Sequence, residues 1–592
     1  MNARIRVLRH VLRLAVGVDR RVVTTILGLV ALGSGGLAAA AFSQRWLVES
    51  VGWHSLVWLV TAAVLGAVAH AVMAAGDRVR ATLQMELSER VEIDLNQEIL
   101  GLTAGIATLD HLERPDYLNR LSMLRNETRA LAASCWVTAE TVAAMVSLVL
   151  SVWLLVSVHP ALSVLVLLTG VPLYFAYLGR RSVARSLVKI AEPVRQERRL
   201  HELCVQPEPA KEVRISGAGL ALSRRATDRW REVARIRVAG RLTAAGWRVI
   251  GSLCFVTGYL LAIGLVAHLV LTRQAGVGDV VLLLVLGSQL HNQIGAIVEG
   301  VVKLGEARHA MDQYLWLLEY AEQNRYGGTQ PAPERLDSGV ELRNVSFRYP
   351  NTDDDVLTDV SVRLPAGAAV AVVGVNGAGK TTLVKLLSGL YQPTAGQITV
   401  DGSPLSTLDV ASWRARVSPA FQDFVKFQFP VRQSVGVGDL PRIDDDEAVR
   451  TAVRRANADP VVDGLADGLD TQLGLLFDGV ELSHGQWQRL ALARALARDT
   501  PLLVVLDEPT AALDPAAEQE LFDRFIAQAD QAADERGAIR LIVSHRFSTV
   551  RSADLILVLA DGGIAEQGSH AELIALGGHY ADLYQIQAHA YA

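Results

Sequence analysis

Residues 374 to 382 read Gly-Val-Asn-Gly-Ala-Gly-Lys-Thr-Thr, a Gly-x-x-x-x-Gly-Lys-Thr run whose residue types suit the holding of phosphate. Gly374, Gly377 and Gly379, spaced by Asn376 and Ala378, leave room for backbone amides to point inward at phosphate oxygens. Lys380 adds a mobile positive charge and the Thr381 hydroxyl can ligate Mg²⁺, with Thr382 completing the run. The apolar stretch Ala369-Val370-Ala371-Val372-Val373 before it reads as a strand, and Leu383-Val384-Lys385-Leu386-Leu387 after it as a helix. Nucleotide binding is therefore expected. A second run, Leu502-Leu503-Val504-Val505-Leu506, ends in Asp507-Glu508, as a buried parallel strand with two carboxylates at its C-terminal end would. In such a site Asp507 would hold Mg²⁺ through water and Glu508 would polarise the attacking water.

These residues lie in the second half of a 592-residue chain that is 51% hydrophobic, with the apolar residues concentrated in the first half. A membrane part joined to a soluble part explains that imbalance. Six segments, 23–48, 56–75, 136–158, 161–179, 249–271 and 276–302, are long and apolar enough to span. Short connections join them in pairs and long ones separate the pairs. Arginines fill the N-terminal segment and the long connections, whereas Arg273 is the single basic residue in the short loops, so both termini and both long connections are expected in the cytoplasm. The Arg-rich N-terminal segment reads as an interfacial helix. Breaks at Glu113-Arg114-Pro115-Asp116-Tyr117 and Pro207-Glu208-Pro209 suggest short transverse helices near Pro115 to Leu121 and Gln206 to Ile215. In the last span Ser288, Asn292, Gly295 and Glu299 recur at helical spacing, flanked by Gln289, His291 and Gln293, and predict a polar face turned from lipid. A Gly/Pro-rich linker over 324–339 then separates a membrane domain, 1–323, from a domain over 340–592.

A net charge of −5 offers no basic field, so no nucleic-acid partner is expected. Cys135, Cys204 and Cys254 have no paired or metal-ligand spacing and read as packing residues.

With the phosphate run and the carboxylate pair in place, the second half resembles the ATP-binding cassette of ABC transporters. Leu482-Ser483-His484-Gly485-Gln486 resembles the family signature Leu-Ser-Gly-Gly-Gln, Gln422 its Q-loop, Ala511-Ala512-Leu513-Asp514 its D-loop, and His545 its switch histidine. Tyr349, in Val345-Ser346-Phe347-Arg348-Tyr349-Pro350, resembles the aromatic that stacks on adenine. Six spans followed by one cassette make the whole chain similar to exporter-type half-transporters. The resemblance implies an α-helical transmembrane domain with long cytoplasmic extensions, plus an α/β P-loop NTPase cassette with antiparallel β and helical subdomains. It also implies ATP and Mg²⁺ as cofactors, Gln422 beside the metal, Glu508 and His545 in hydrolysis, and Ser483, Gly485 and Gln486 closing on the γ-phosphate of a partner.

The expected activity is ATP-driven transport across a bacterial plasma membrane, export by a dimer of half-transporters, with a homodimer and a heterodimer both open. An importer of the same architecture, for example for a siderophore-like compound, is the alternative. Six apolar spans exclude a soluble cassette ATPase. No cysteine-protease domain is expected before the first span, so the transported substrate, still unidentified, is expected to be matured elsewhere. His484 departs from the consensus glycine and places an imidazole beside the signature helix.

Overall fold

The computed structural model describes residues 2–52, 56–325, 327–507, 535–544 and 547–591. The chain divides into two units: Met1–Leu100 with Ser122–Trp316, and Gly101–Leu121 with Leu317–Ala592.

The first unit is helical. Its helices are α1 (Asn2–Gly52), α2 (Leu56–Ala104), α3 (Pro115–Val158), α4 (Val164–Val205), α5 (Pro207–Ile215), α6 (Gly219–Leu271) and α7 (Val277–Gln323), of which the end of α2, the start of α3 and the end of α7 from Leu317 belong to the second unit. Helix α1 is broken at Asp19, where the backbone leaves the helical region at φ −159°. The Asp19 carboxylate accepts from the amides of Arg21 at 2.8 Å and Val22 at 3.1 Å, so this residue caps a new helix start. Before the break Val7, Val11 and Ala15 are buried on one stripe, so the Arg-rich segment packs against protein along that face.

Among the described residues five helices are long and apolar enough to cross a membrane: Ile5–Ser50, Leu56–Ala104, Pro115–Val158, Gly219–Leu271 and Val277–Gln323. The expected span at 161–179 includes side chains outside the described residues, at 165–167 and 169, so that set does not test it. It opens as a 3₁₀ turn, Pro160–Ser163, and the apolar part of α4 that follows is cut short by Arg180 and Arg181. Helices α4 and α6 pack closely. A Cβ on Gly251 would stand 2.9 Å from Pro172 Cα, and one on Gly179 would stand 3.2 Å from Ala244 Cα.

The polar residues of the last span separate into two groups. Gln293 is buried and donates to Ser147 Oγ at 3.2 Å and Ser151 Oγ at 2.8 Å, tying α7 to α3. Ser288, Asn292, Gly295 and Glu299 form an exposed face one helical turn apart.

The second unit carries two sheets. The antiparallel one, in order β2-β1-β4-β5, is built from β1 (Val340–Phe347), β2 (Leu357–Leu364), β4 (Ala395–Val400) and β5 (Ser403–Pro404). The other runs β10-β9-β3-β8-β7-β6, from β3 (Ala369–Gly374), β6 (Val417–Ala420), β7 (Leu503–Asp507), β8 (Ile539–Val543), β9 (Leu555–Ala560) and β10 (Gly563–Gly568), and all but the β9–β10 pair are parallel. Strands β3, β7 and β8 are buried throughout, which is why they read as unbroken apolar runs. A common core joins the sheets to α8 (Lys380–Leu387). A separate cluster gathers α10 (Val431–Gly436), α11 (Asp446–Arg455), α12 (Asp459–Asp463) and α13 (His484–Ala495), while α9 (Val410–Arg414) precedes β6.

The break near Pro115 takes a different form from the one expected. Helix α3 starts at Pro115 and runs on without a transverse piece, and the turn is a 3₁₀ segment at Asp110–Glu113. That segment is anchored within the second unit. Leu109 donates to Leu390 O at 3.0 Å, Tyr391 donates to Glu113, and the Arg414 guanidinium donates to the carbonyls of Ala107 and Gly389. The second break forms α5 where a short helix was expected.

Candidate functional site

The phosphate run sits at the carboxyl end of β3. Gly377 and Gly379 adopt φ of 84° and 96°, open only at a steep cost to residues with a Cβ. Gly374 closes the strand so tightly against its neighbour that a Cβ would lie 2.4 Å from Leu559 O. No atom lies within 4 Å of where a Cβ on Gly377 would stand, which leaves space over the loop. Lys380, the first residue of α8, is buried, and its Nζ donates to Gly374 O at 2.9 Å and Val375 O at 3.1 Å, so the ammonium is held inside the loop it follows. Asn376 is exposed, Ala378 and Thr382 are buried, and Thr381 is half-buried.

Tyr349 stands beside this cradle. Its hydroxyl lies 3.1 Å from Thr382 Oγ1, its ring meets Phe347 and Tyr391 edge-on at 4.9 and 5.5 Å, and Lys385 Nζ lies 5.6 Å from its centroid. The ring is thereby fixed against the helix that carries the phosphate loop.

Asp507 ends β7, nearly fully buried at 1% exposure. It pairs in register with Val543 of β8, whose neighbour Val372 lies on β3, so the carboxylate and the phosphate loop share the carboxyl edge of one parallel sheet. Such an edge is where open α/β sheets bind ligands. Gln422 is exposed in the loop after β6. The residues present fit ATP with a divalent cation: a glycine cradle with space above it, an ammonium, a hydroxyl at Thr381 and a carboxylate at Asp507. Glu508, the D-loop segment 511–514 and His545 lie outside the described residues.

The signature forms the start of α13. Ser483 is the N-cap, and its Oγ accepts from Gln486 N at 3.3 Å while Gln486 Oε1 accepts from Ser483 N at 2.8 Å. This reciprocal capping holds the helix N-terminus rigid and leaves the Ser483 hydroxyl proton able to donate. The His484 ring is tilted at 36° over Phe424, with centroids 5.3 Å apart, so the departure from consensus touches the segment that carries Gln422. A cavity of about 270 Å³ lies between that segment and α13, bordered by Phe421, Phe424, Phe427, Gln488, Arg494 and Arg498. Nothing in the sequence marked it, since its walls come from three distant stretches. Arg494 closes one side, with its guanidinium 4.6 Å from the Phe427 ring and donating to Val425 O at 3.1 Å.

Comparison with known proteins agrees with this geometry. The ABC transporter family matches residues 357–511, which take in the phosphate loop, Gln422, the signature and Asp507. Residues 357–511 therefore carry the ATP-binding domain of ABC transporters. The chain is 38% identical over 350 residues to an ATP-dependent lipid A-core flippase of Pseudomonas aeruginosa, covering 58% of this chain and 55% of the relative. It is 36% identical over 288 residues to the subtilin transport ATP-binding protein SpaT of Bacillus subtilis, covering 48% of this chain and 46% of that one. The chain thus spans about half the length of these curated relatives. In structure it follows a bacterial Atm1-family ABC exporter with ATP bound, at a TM-score of 0.76 and 23% identity over 97% of this chain and 99% of that one. The fold is therefore that of this ABC exporter, with apolar helices of membrane-spanning length and an ATP-binding cassette.

Proposed function

We propose that this transporter uses ATP hydrolysis to export a substrate, working as one of two half-transporters that share their ATP sites. The observation that carries this reading is the common edge of the parallel sheet, where the glycine cradle with Lys380 and the buried Asp507 stand at the ends of β3 and β7 in a chain that also holds apolar spanning helices. Lys380 neutralises phosphate charge, Thr381 and Asp507 hold Mg²⁺ with Gln422 beside it, and Tyr349 stacks on adenine. Glu508 orients and activates the attacking water and His545 contacts the γ-phosphate. The metal, when bound, draws charge from the phosphates. The capped N-terminus of α13 closes on the ATP of the partner, through Ser483, Gly485 and Gln486. Both termini and the cassette face the cytoplasm, as the arginine distribution requires.

The partner is a second copy of this chain or a different half-transporter. Full-length protein reconstituted in vesicles tests the reading. Lys380→Ala should lower ATP affinity at least tenfold and remove ATP-dependent substrate movement, because the ammonium acts already in the ground state. Unchanged nucleotide affinity in that variant would refute the assignment. Accumulation of labelled substrate in inside-out vesicles marks export, whereas accumulation in right-side-out vesicles would mark import.

A further inference from the structure

The cytoplasmic connection between the fourth and fifth expected spans is unusually basic. Residues 180–248 hold seventeen Lys and Arg against seven Asp and Glu, in a chain whose net charge is −5. The positive-inside bias acts within about 15–20 residues of a span, and Arg180, Arg181, Arg185 and Lys189 already supply it on one side, with Arg235, Arg237, Arg241 and Arg248 on the other. Arg195, Arg199, Arg225 and Arg229 lie at or beyond that reach, so topology does not account for them.

The packing of α4 on α6 brings these four together. Gly258 faces Leu168, Gly251 faces Pro172 and Gly240 faces Ser186, an antiparallel register that holds to within one helical turn. Carried outward, that register sets Arg225 across from Arg199 and Arg229 across from Arg195. The two helices there border an open cavity of about 670 Å³, lined by Arg195, Gln196 and Arg199 from α4 and by Arg225, Asp228 and Arg229 from α6. On each helix the two arginines stand four residues apart, a like-charge spacing that destabilises a helix unless an anion lies between. Arg195, Arg199 and Arg229 are partnered by acids three residues away on their own helices, in exposed pairs that are easily exchanged. Arg225 makes no ion pair among the described residues.

We propose that this groove binds a compact multivalent anion of polyphosphate or polycarboxylate type. Four guanidinium groups lining one cavity from two helices suit the bidentate recognition of such groups. Phospholipid headgroups are excluded by distance: some 16 helical residues beyond the expected end of the span at 179 correspond to about 24 Å, several Debye lengths at physiological salt. The anion is either the charged part of the transported substrate or a cytosolic regulator. The first of these rests on the export reading above, whereas the binding site itself does not.

The test uses full-length protein in nanodiscs of zwitterionic lipid, with saturating ADP to occupy the phosphate loop and inositol hexakisphosphate as the probe in calorimetry. Wild-type protein should bind the probe with an affinity that falls as salt rises. Arg195→Gln with Arg225→Gln should weaken binding at least tenfold, Arg195→Lys with Arg225→Lys should weaken it less, and Arg273→Gln in the short loop should leave it unchanged. Absence of binding to wild type at low salt, or equal binding by the double Gln variant, would overturn the proposal. Basal ATP hydrolysis measured on the same samples keeps the two readings separate, since the double Gln variant should retain it whatever the binding result. A probe that enters inside-out vesicles with ATP marks the site as a substrate site. A probe that changes hydrolysis without entering marks it as regulatory.

Discussion

Gly379 shows how narrowly the cradle is specified. Its φ of 96° strains any residue with a side chain, and a Cβ there would lie 2.6 Å from Leu357 Cδ2 and 3.0 Å from Val356 O. Leu357 belongs to the core beneath the loop and Val356 O is backbone, so neither yields easily. Gly379→Ala should therefore cost the cassette about 1–3 kcal/mol and weaken ATP binding, read as a lowered unfolding temperature that ATP no longer restores. Residues of this kind were legible because spacing alone constrains them: glycines at fixed intervals before a lysine have few other uses. Ser483 and Gln486 were legible from the family signature, and the structure adds a second task for them, the reciprocal capping of a helix. The position of Tyr349 against Thr382 was not legible, because it depends on how β1 meets α8 across the core.

At the scale of elements, the segment 101–121 is the feature that sequence conveyed least well. The break before Pro115 announced a turn, but the anchors that hold it, Leu390, Tyr391 and Arg414, lie nearly 300 residues away and carry no local signal. The same distance hid His111, which is buried in the segment with its ring 4.8 Å from Tyr117 in an edge-on contact. Burial lowers the His111 pKa from its ordinary value, with the Thr108 backbone and Asp110 pulling the other way. The docked segment thus favours neutral imidazole. Its stability is complete above the ordinary histidine pKa near 6.5 and is lost as pH falls below that value, because the released segment takes up the proton more readily. The opening of residues 101–121, read by hydrogen exchange corrected for the slower intrinsic exchange at lower pH, should increase as pH falls from 7 to 5.5, and His111→Phe should flatten that dependence. An equal increase in the variant would assign the effect to other groups. Expected spans were read well wherever an apolar run and a helix coincide.

For the whole molecule, the proposed function requires a partner to complete each ATP site, and His484 is the residue that distinguishes this chain. The imidazole adds bulk where the consensus has none; it also leans on Phe424, in the segment that carries Gln422. A second copy would place this histidine in both composite sites, and a different half-transporter would leave one site with a consensus signature. Chain expressed alone and sized with and without ATP should dimerise on ATP if two copies suffice. The most direct measurement of the central claim combines that sizing with Glu508→Gln in purified full-length protein. The account predicts that the variant binds ATP, is held in the ATP-bound dimer with its complementary half, and loses steady-state hydrolysis by at least a hundredfold, since the carboxylate matters chiefly when water attacks. Hydrolysis by Glu508→Gln at the wild-type rate, with contaminating ATPase excluded, would contradict it.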